Sequence, residues 1–333
     1  MNGLEIFGIG PSKEYADRVC KSLAMKRAEH TEEWHDDGEP YNVPSVNVRG
    51  RDVFIISSLY NCVKERLADK AINLLWFARQ VRDASASRVT LVCPYLAYQR
   101  QDRKTESRAP VYTKYFPEMM EGLLRPDDRI ITMDAHNLSA YQTGIRIMVD
   151  HLEAKPLVAD WFVRNIKSFN VDLDNLSAAS PDEGGVKRTG FYREKIQEVL
   201  GIEMDFAVVY KNRRKKLVKS DGVMGDVKGK DVFLFDDMIS SGGTLVKATT
   251  EIEKAGGRVR AAVATHGLCV GEANDNMKTL LDKGVRIIVT DTVEPFRLED
   301  DVKKRLDVIS TADLFGEAIR CIHNEESISR LMG

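Results

Sequence analysis

The sequence predicts an α/β protein built of two doubly wound domains with mainly parallel sheets. Short apolar runs alternate along the chain with helical patterns, and this alternation is typical of parallel strands that helices cover on both faces. The chain has 333 residues, which is more than one compact core usually holds, so we expect two domains.

The predicted strands are short runs that are mostly apolar at every position, as in strands that are buried on both faces. They cover residues 6–9, 53–57, 89–93, 130–133, 206–210, 232–235, 259–265 and 285–289. The predicted helices carry apolar residues at helical spacing between these strands. They cover residues 13–24, 64–84, 112–124, 190–200, 244–255 and 273–283, and a further helix is expected to begin at Lys155.

The segment 149–157 marks the predicted boundary between the two domains. We interpret it as a crossing point, because a first set of strands ends there and Lys155-Pro156 starts a helix. The apolar pattern at 314–322 could pack on either domain, and we expect it to return to the N-terminal one. This division gives an N-terminal domain, 1–153, a C-terminal domain, 154–307, and a C-terminal segment, 308–333.

Composition argues against several classes of protein. With 43% hydrophobic and 30% charged residues, and no apolar run near ~20 residues, the sequence indicates a soluble globular protein without a membrane span. The first residues lack the basic start and the long apolar stretch of a signal peptide, so we expect a cytoplasmic location. A formal net charge of −2 argues against a nucleic-acid partner, whose binding would require an extended positive field.

The most informative segment is 232–244, where an apolar run ends in Asp236 and Asp237 and continues into the glycine-rich loop 240–244. This loop would open a helix, whose unpaired N–H groups and positive dipole end attract a phosphate. The two carboxylates would accept hydrogen bonds from the cis hydroxyls of a ribose, or bind a magnesium ion that bridges ribose and pyrophosphate oxygens. Together they suggest ribose 5-phosphate, although an ordinary strand-to-helix turn could carry similar residues.

A second segment, 98–104, follows the predicted strand 89–93 and contains three cations, two amides and an acid. Open α/β sheets bind ligands beyond the carboxyl ends of their strands. Arg and Lys side chains there could grip a polyphosphate, while Gln101 and Asp102 hold a base or a sugar. The alternative is a charged run that is simply exposed to solvent.

The order Asp-Asp, two spacers and Ser-Ser-Gly-Gly-Thr at 236–244 resembles a signature shared by phosphoribosyltransferases and phosphoribosyl diphosphate synthetases. Further segments resemble the synthetases in the same order along the chain: residues 34–39, 98–110, 134–136, 180–188, 211–213 and 317–329. The sequence is therefore identified as a member of the ribose-phosphate diphosphokinase family, also called phosphoribosyl diphosphate synthetases. The resemblance covers nearly the whole chain and implies a phosphoribosyltransferase-like fold.

The resemblance also implies roles for individual residues. On the nucleotide side, in the N-terminal domain, it implies Arg100, Gln101, Asp102, His35, Asp37 and Glu39. For ribose 5-phosphate, in the C-terminal domain, it implies Asp236, Asp237, Ser240, Ser241, Gly242, Gly243 and Thr244. It implies magnesium ligands at His136 and Asp182, catalytic cations at Lys211 and Arg213, and regulatory positions at or near Arg49, Ser107 and Arg108.

A member of this family would transfer the β,γ-diphosphoryl group of Mg-ATP to the anomeric hydroxyl of ribose 5-phosphate. The products would be phosphoribosyl diphosphate, used in nucleotide biosynthesis, and AMP. Lys211 and Arg213 would lie on a loop that closes on the transferring group and opposes its negative charge. The family also implies a homo-oligomer, a dimer or a hexamer, because its active site borrows the loop at 34–39 from a neighbouring subunit.

Two other functions share part of this pattern. A phosphoribosyltransferase carries the 236–244 signature but has no need of residues 100–104 or of a second α/β half. A non-catalytic regulatory homologue would bind synthetase subunits, but such relatives often lose loop or metal residues that are present here. Both therefore fit the sequence less well than the synthetase.

Three residues depart from the usual pattern of the family. Ser240 stands where many members have Asp, His35 where Phe is usual, and Asn47 where Ser usually precedes Arg49. A hydroxyl can still donate to the 5-phosphate, and an imidazole can still stack on a purine. We therefore expect the activity to survive these changes.

Overall fold

The computed structural model describes residues 3–63, 65–210 and 222–331, and the chain divides into two compact units. The first unit combines Met1–Glu153 with Thr311–Gly333, and the second is Ala154–Ser310. Among the described residues, no helix combines the length and the apolar character that a membrane crossing requires.

The strands of the described residues are numbered along the chain. They are β1 (Leu4–Gly8), β2 (His30–Trp34), β3 (Pro40–Pro44), β4 (Asp52–Ile56), β5 (Arg88–Cys93), β6 (Arg129–Met133), β7 (Met148–Leu152), β8 (Leu176–Ser180), β9 (Asp205–Tyr210), β10 (Gly222–Met224), β11 (Asp231–Ile239), β12 (Arg258–Gly267), β13 (Arg286–Thr290) and β14 (Leu306–Ile309).

The α-helices of the same residues alternate with these strands. They are α1 (Lys13–Ser22), α2 (Leu67–Asp83), α3 (Tyr112–Leu123), α4 (Leu138–Gln142), α5 (Lys155–Asn165), α6 (Val186–Leu200), α7 (Gly243–Lys254), α8 (Ala273–Asp282), α9 (Asp300–Lys303) and α10 (Ala312–His323).

The main sheet of the first unit is parallel throughout its described strands, in the order β1-β4-β5-β6-β7. Every residue of β4 is buried, as expected for a continuous apolar run in a sheet that is covered on both faces. β2 and β3 stand apart from this sheet and pair with each other as an antiparallel hairpin. The fold class predicted from the sequence is confirmed, because parallel strands and helices alternate in both units.

The sheet of the second unit has the order β10-β9-β8-β11-β12-β13-β14, and among these strands β10 is the antiparallel member. The chain goes from β8 to β9 on one side and later places β11 on the other side of β8, so the strand order reverses between β8 and β11. Open α/β sheets bind ligands beyond the carboxyl ends of their strands at such a reversal. The ends of β8 and β11 are therefore the expected place for a site.

All of the predicted strands are present, and the structure adds strands that the apolar pattern does not reveal. β2 and β3 are polar and largely exposed, so no apolar run marks them. β8 is buried at all five positions but is built of one Leu and small Ser and Ala residues, which give a weak hydrophobic signal. Burial in a parallel sheet therefore does not require large side chains.

Two details of the prediction are wrong. β11 continues to Ile239 instead of ending at Phe235, so the acid pair lies within the strand, which β12 continues to pair as far as Gly267. The strands of the first domain also do not end before residue 149, because β7 occupies Met148–Leu152 and pairs with β6. β7 is an edge strand with exposed and half-buried positions, which explains why its sequence lacks a continuous apolar run.

Helix α10 returns the chain to the first unit and packs against α1. Gly316 allows the two helices to approach closely, because a Cβ atom there would collide with the Ser22 hydroxyl. The hydroxyls of Tyr15 and Thr311 are 2.6 Å apart. At the other end of α10, Nδ1 of His323 lies 2.9 Å from an Asp52 carboxylate oxygen.

Candidate active site

The acid pair of β11 lies at the strand-order reversal of the second unit. β8 pairs with β11 only as far as Leu234, whereas β12 pairs with β11 to its end. Asp236 and Asp237 therefore lie where β11 has lost its neighbour on the β8 side. This gap places two carboxylates at the position where a parallel sheet offers its ligand site.

The two carboxylates differ in exposure and share one cation. The Asp236 side chain is 18% exposed and that of Asp237 3%. Nη1 of Arg188, on α6, lies 3.4 Å from Oδ1 of Asp236 and 3.2 Å from Oδ1 of Asp237. Burial and the neighbouring charge of Asp237 raise the pKa of Asp236 to about 8, although Arg188 opposes this rise. Two full charges on the pair are more than one arginine balances, so Asp236 tends to keep its proton near neutral pH, and hydroxyl donors or a cation would favour its ionised form.

Asp182 lies in the loop that follows β8, beside the same gap. Its carboxylate accepts hydrogen bonds from the backbone N–H groups of Gly184 and Gly185, at 2.9 and 3.2 Å, and both bonds go to Oδ1. The Ser180 hydroxyl donates to the Asp182 carbonyl at 2.6 Å. The structure thus brings Asp182 and the acid pair to the carboxyl ends of adjacent strands, with Asp182 also capping a short helical turn.

The backbone of the glycine-rich loop has a fixed orientation. The carbonyl of Ser240 accepts from the Val270 N–H at 2.9 Å, and the carbonyl of Ser241 accepts from the Asn276 side-chain amide at 2.8 Å. Because the carbonyl and the following N–H of a trans peptide point in opposite directions, the N–H group of Ser241 is directed away from Val270 and that of Gly242 away from Asn276 on α8. They join the first N–H groups of α7, so the loop forms a cradle for an anion.

Gly242 is required by the shape of this cradle. Its φ is +79°, in the left-handed region that residues with a Cβ rarely adopt. A Cβ atom would also collide with Cε of Met277 and lie 3.3 Å from Cβ of Asn276. The loop therefore owes its geometry to α8 as much as to its own sequence.

In the first unit, the loops after β5 and β6 meet at the carboxyl edge of two adjacent parallel strands. Asn137 donates from its side-chain amide to Oδ2 of Asp102 at 2.9 Å. Thr113, at the start of α3, donates its hydroxyl to the carbonyls of Tyr98 and Gln101, both at 3.1 Å. The structure thus brings the 98–104 segment and the 134–137 segment together, as their shared sheet edge predicts.

The side chains of these two loops that were predicted to bind nucleotide are exposed with one exception. Arg100, Gln101 and His136 are exposed, whereas Asp102 is half-buried. Arg188, Asn276, Thr113 and Asn137 were not singled out from the sequence. Each of them holds a candidate site residue through a contact across the fold, which spacing along the chain does not reveal.

The predicted adenine-binding residues lie at the tip of the β2–β3 hairpin. His35, Asp37 and Glu39 are exposed, and their backbone bonds are local, with the His35 N–H donating to the Glu39 carbonyl at 2.9 Å. The hairpin base is held instead by Glu32, which pairs with Lys13 at 2.7 Å. Burial opposes ionisation of Glu32, but hydrogen bonds from His30 and Lys13 lower its pKa to about 2. Glu32 is therefore ionised at neutral pH and keeps its ion pair with Lys13 at the base of the hairpin.

Comparison with known proteins identifies the family. A family model described as the N-terminal domain of ribose phosphate pyrophosphokinase matches residues 4–123, and one described as a phosphoribosyl synthetase-associated domain matches residues 201–333. A ribose-phosphate pyrophosphokinase of Clostridium acetobutylicum is 36% identical over 98% of this chain and 97% of that protein. One of Rhodopirellula baltica is 34% identical over 99% of each. The chain belongs to the ribose-phosphate pyrophosphokinase family.

A solved structure agrees with this assignment. The crystal structure of a phosphoribosylpyrophosphate synthetase from Mycobacterium smegmatis superposes with a TM-score of 0.82 and 28% sequence identity, over 97% of this chain and 100% of that chain. The family and the enzyme class predicted from the sequence are thereby confirmed. Both units of this pyrophosphokinase-family chain have counterparts in that structure, because the match spans the full length.

The remaining predicted positions of this pyrophosphokinase-family chain are the two catalytic cations and the three regulatory residues. Lys211 and Arg213 lie outside the described residues. Arg49, Ser107 and Arg108 are exposed. The Arg49 N–H donates to the side-chain oxygen of Asn47 at 3.0 Å, so Asn47 supports a local turn. Whether these positions regulate the protein stays a prediction.

Proposed function

We propose that this chain transfers the β,γ-diphosphoryl group of Mg-ATP to the anomeric hydroxyl of ribose 5-phosphate, giving phosphoribosyl diphosphate and AMP. The observation that supports this most strongly is the acid pair, Asp236 and Asp237, beside the anion cradle at 240–244. Ribose 5-phosphate combines a phosphate, which the cradle can bind, with vicinal hydroxyls, whose hydrogen bonds the two carboxylates can accept. Membership of the ribose-phosphate pyrophosphokinase family supports the same reaction.

The second unit would bind ribose 5-phosphate. The 5-phosphate would accept hydrogen bonds from the backbone N–H groups of Ser241, Gly242, Gly243 and Thr244 and from the hydroxyls of Ser240, Ser241 and Thr244. The cis hydroxyls of the ribose would donate to Asp236 and Asp237. These hydrogen bonds favour the ionised carboxylates, so binding of the ribose would lower the raised pKa of Asp236.

The first unit would bind the nucleotide. Arg100 offers a planar guanidinium to the phosphates, and Gln101 and Asp102 offer an amide and a carboxylate to the base or sugar. His35, Asp37 and Glu39 at the hairpin tip would contact adenine. The exposure of these side chains supports this role, because a ligand must reach them without displacing a packed core.

Magnesium would accompany ATP. No group of three or more His, Cys, Asp or Glu side chains among the described residues is arranged to hold a metal ion. Mg²⁺ does not require such a group, because it keeps several waters and binds through one or two protein groups together with substrate phosphates. His136 in the first unit and Asp182 in the second are the proposed magnesium ligands, and magnesium would neutralise charge on the diphosphate.

The chemistry needs orientation more than a covalent enzyme intermediate. The anomeric oxygen would form a bond to the β-phosphorus as the bond from that phosphorus to the α,β-bridging oxygen breaks, and the hydroxyl proton would be released. AMP leaves with the bridging oxygen. Lys211 and Arg213 would oppose the charge that accumulates on the transferring group.

A homo-oligomer, a dimer or a hexamer, would complete the site. The hairpin tip is exposed and makes local backbone bonds, so it can serve a second copy of the chain. Mixing an Asp37→Ala chain with a Lys211→Ala chain tests this, because each would supply what the other lacks. Recovered activity supports the shared site, and no recovery in a verified mixed oligomer contradicts it.

We further propose that the protein works in the cytoplasm without a nucleic-acid or membrane partner.

The deciding experiment is incubation of the purified protein with Mg-ATP and ribose 5-phosphate, following AMP and phosphoribosyl diphosphate together. Label placed in the γ-phosphate should appear in the sugar product, and label placed in adenosine should remain in AMP. Equal amounts of both products support diphosphoryl transfer. Release of ADP would indicate transfer of a single phosphoryl group, and no turnover with or without added phosphate would favour a regulatory relative.

A further inference from the structure

Three consecutive backbone N–H groups after β6 are each held by a different acceptor. The Asp134 N–H donates to the carbonyl of Leu152 at 3.0 Å. The Ala135 N–H donates to Nε2 of His151 at 3.0 Å. The His136 N–H donates to the side-chain oxygen of Gln99. A short loop that satisfies every N–H in this way has one defined path.

His151 reaches this loop from β7, the edge strand beside β6. Since Nε2 accepts a hydrogen bond, the ring must be neutral with its proton on Nδ1. Burial lowers the pKa of His151, although Asp134 and Glu153 oppose this effect, so the neutral ring is the favoured form. A protonated imidazole has no acceptor nitrogen, so it could not accept this hydrogen bond.

Gln99 reaches the loop from the segment after β5. It is 1% exposed, and its amide nitrogen donates to the carbonyl of Leu96. That bond fixes which end of the amide faces the His136 N–H, because the oxygen must point the other way. Gln99 is thus a buried connector between the two loops that carry the nucleotide-side residues.

The loop needs such support because its backbone is strained. Asp134 has a φ of +38°, a conformation that residues with a Cβ rarely adopt. Such a conformation persists only where neighbouring contacts determine it. The bonds from His151 and Gln99 lie directly after this residue, so they can hold the following peptide units in place while the His136 side chain stays exposed.

We propose that Gln99 and His151 are positioning residues, which set the direction of the His136 side chain for the nucleotide by binding the N–H groups of His136 and Ala135. In this role neither residue would contact the substrate or the metal. This inference rests on the proposed function, in which His136 serves Mg-ATP. It predicts that loss of either acceptor weakens nucleotide binding specifically.

The first test uses no substrate. Amide hydrogen exchange of the segment 134–137 is measured in the full-length protein and in Gln99→Met and His151→Phe, which keep size but lose the acceptor. We expect exchange there to rise at least about tenfold while exchange in β4, a buried strand of the same unit, is unchanged. Equal exchange in all proteins would overturn the contacts, and a rise in β4 as well would mean general loosening of the unit, which would also count against a local positioning role.

The second test measures binding and kinetics. The affinity for Mg-ATP, measured by calorimetry without ribose 5-phosphate, should fall about tenfold in both variants, while the KM for ribose 5-phosphate changes less than about twofold. His151→Gln retains an acceptor oxygen and should recover most of the affinity. His323→Phe is the matched control, because it removes a histidine hydrogen bond to Asp52 in the same unit and should leave Mg-ATP affinity unchanged.

The two proposals can fail separately. If the wild-type protein makes no AMP or phosphoribosyl diphosphate, the proposed function fails, while the exchange experiment still tests the contacts. If the wild-type protein makes both products but the variants bind Mg-ATP as tightly as it does, the positioning role fails. A fall in the affinity for both substrates by the same factor would also overturn it.

Discussion

Nη1 of Arg188 lies 3.2 Å from Oδ1 of Asp237, so a side chain of α6 holds the second acid of β11. Arg188 is 22% exposed, whereas Asp237 is 3% exposed. Removing the cation would leave the nearly buried acid pair without the counter-charge that Arg188 supplies. That loss is more severe than breaking an ion pair at the surface.

We therefore expect Arg188→Gln to lower the free energy of unfolding by about 2 kcal/mol, between the values for surface and buried pairs. Chemical denaturation measures this. The matched control is Arg305→Gln, whose partner Asp282 is 2.8 Å away with both side chains substantially exposed, and it should change stability by less than about 1 kcal/mol. Equal effects of the two substitutions would contradict the role of Arg188.

The raised pKa of Asp236 predicts an unusual pH dependence. Burial and Asp237 raise this pKa to about 8, whereas the unfolded value is about 3.9. Between these values the folded state binds more protons than the unfolded state, so this group's stabilisation is complete at low pH and is lost as the pH rises through about 8. Denaturation of the ligand-free protein between pH 5 and pH 9 should show declining stability from this source.

Asp236→Asn removes the titrating group while keeping the size of the side chain. Its stability should therefore decline less between pH 5 and pH 9 than that of the wild-type protein. Identical slopes would show that another group carries the dependence. The same variant should weaken ribose 5-phosphate binding, because an amide accepts hydroxyl donors less well than a carboxylate.

Gly242→Ala should damage the anion cradle. The left-handed φ alone costs about 1–2 kcal/mol, and the collision with Met277 adds overpacking. We expect the KM for ribose 5-phosphate to rise at least about tenfold, measured by initial rates, with little change for ATP. Gly229→Ala is the control, since its φ is +76° but no atom lies within 4 Å of the added Cβ; a similar rise in KM there would count against the cradle.

Lys211→Ala and Arg213→Ala should lower kcat strongly, by about a hundredfold or more, while leaving ATP affinity nearly intact. Their contacts are expected mainly in the transition state, and such contacts affect turnover rather than binding. Lys254→Ala is a suitable control, because it removes an ion pair with Glu251 at the end of α7. Unchanged turnover in the first two variants would exclude them as catalytic cations.

The sequence predicts those parts of the site that are built from consecutive residues. The run from Val232 to Thr244 contains its own strand, its acids and its helix start, so local chemistry is enough to indicate a phosphate cradle. Asp102 and His136 are separate in sequence but follow adjacent strands. Their proximity could be expected because parallel strands end at one edge of a sheet.

Residues that act across the fold could not be predicted in this way. Gln99, His151 and Asn276 each donate to or accept from a loop far along the chain, and nothing in their own neighbourhood marks that partner. Lys70 is another residue whose contacts could not be predicted, because a lysine in a helix is normally exposed. Here its ammonium group is fully buried and donates to the Ser58 carbonyl at 2.8 Å, a contact that only tertiary structure creates.

The return of α10 to the first unit affects the order in which a nascent chain can mature. Residues 154–310 form an uninterrupted unit, which can fold as soon as it has left the ribosome. The earlier part of the chain cannot bury the α1 face around Ser22 until Gly316 arrives, although it is synthesised first. The unit proposed to bind ATP would thus be completed last, so a chain interrupted during synthesis could acquire the sugar-phosphate cradle while its nucleotide half remained unfinished.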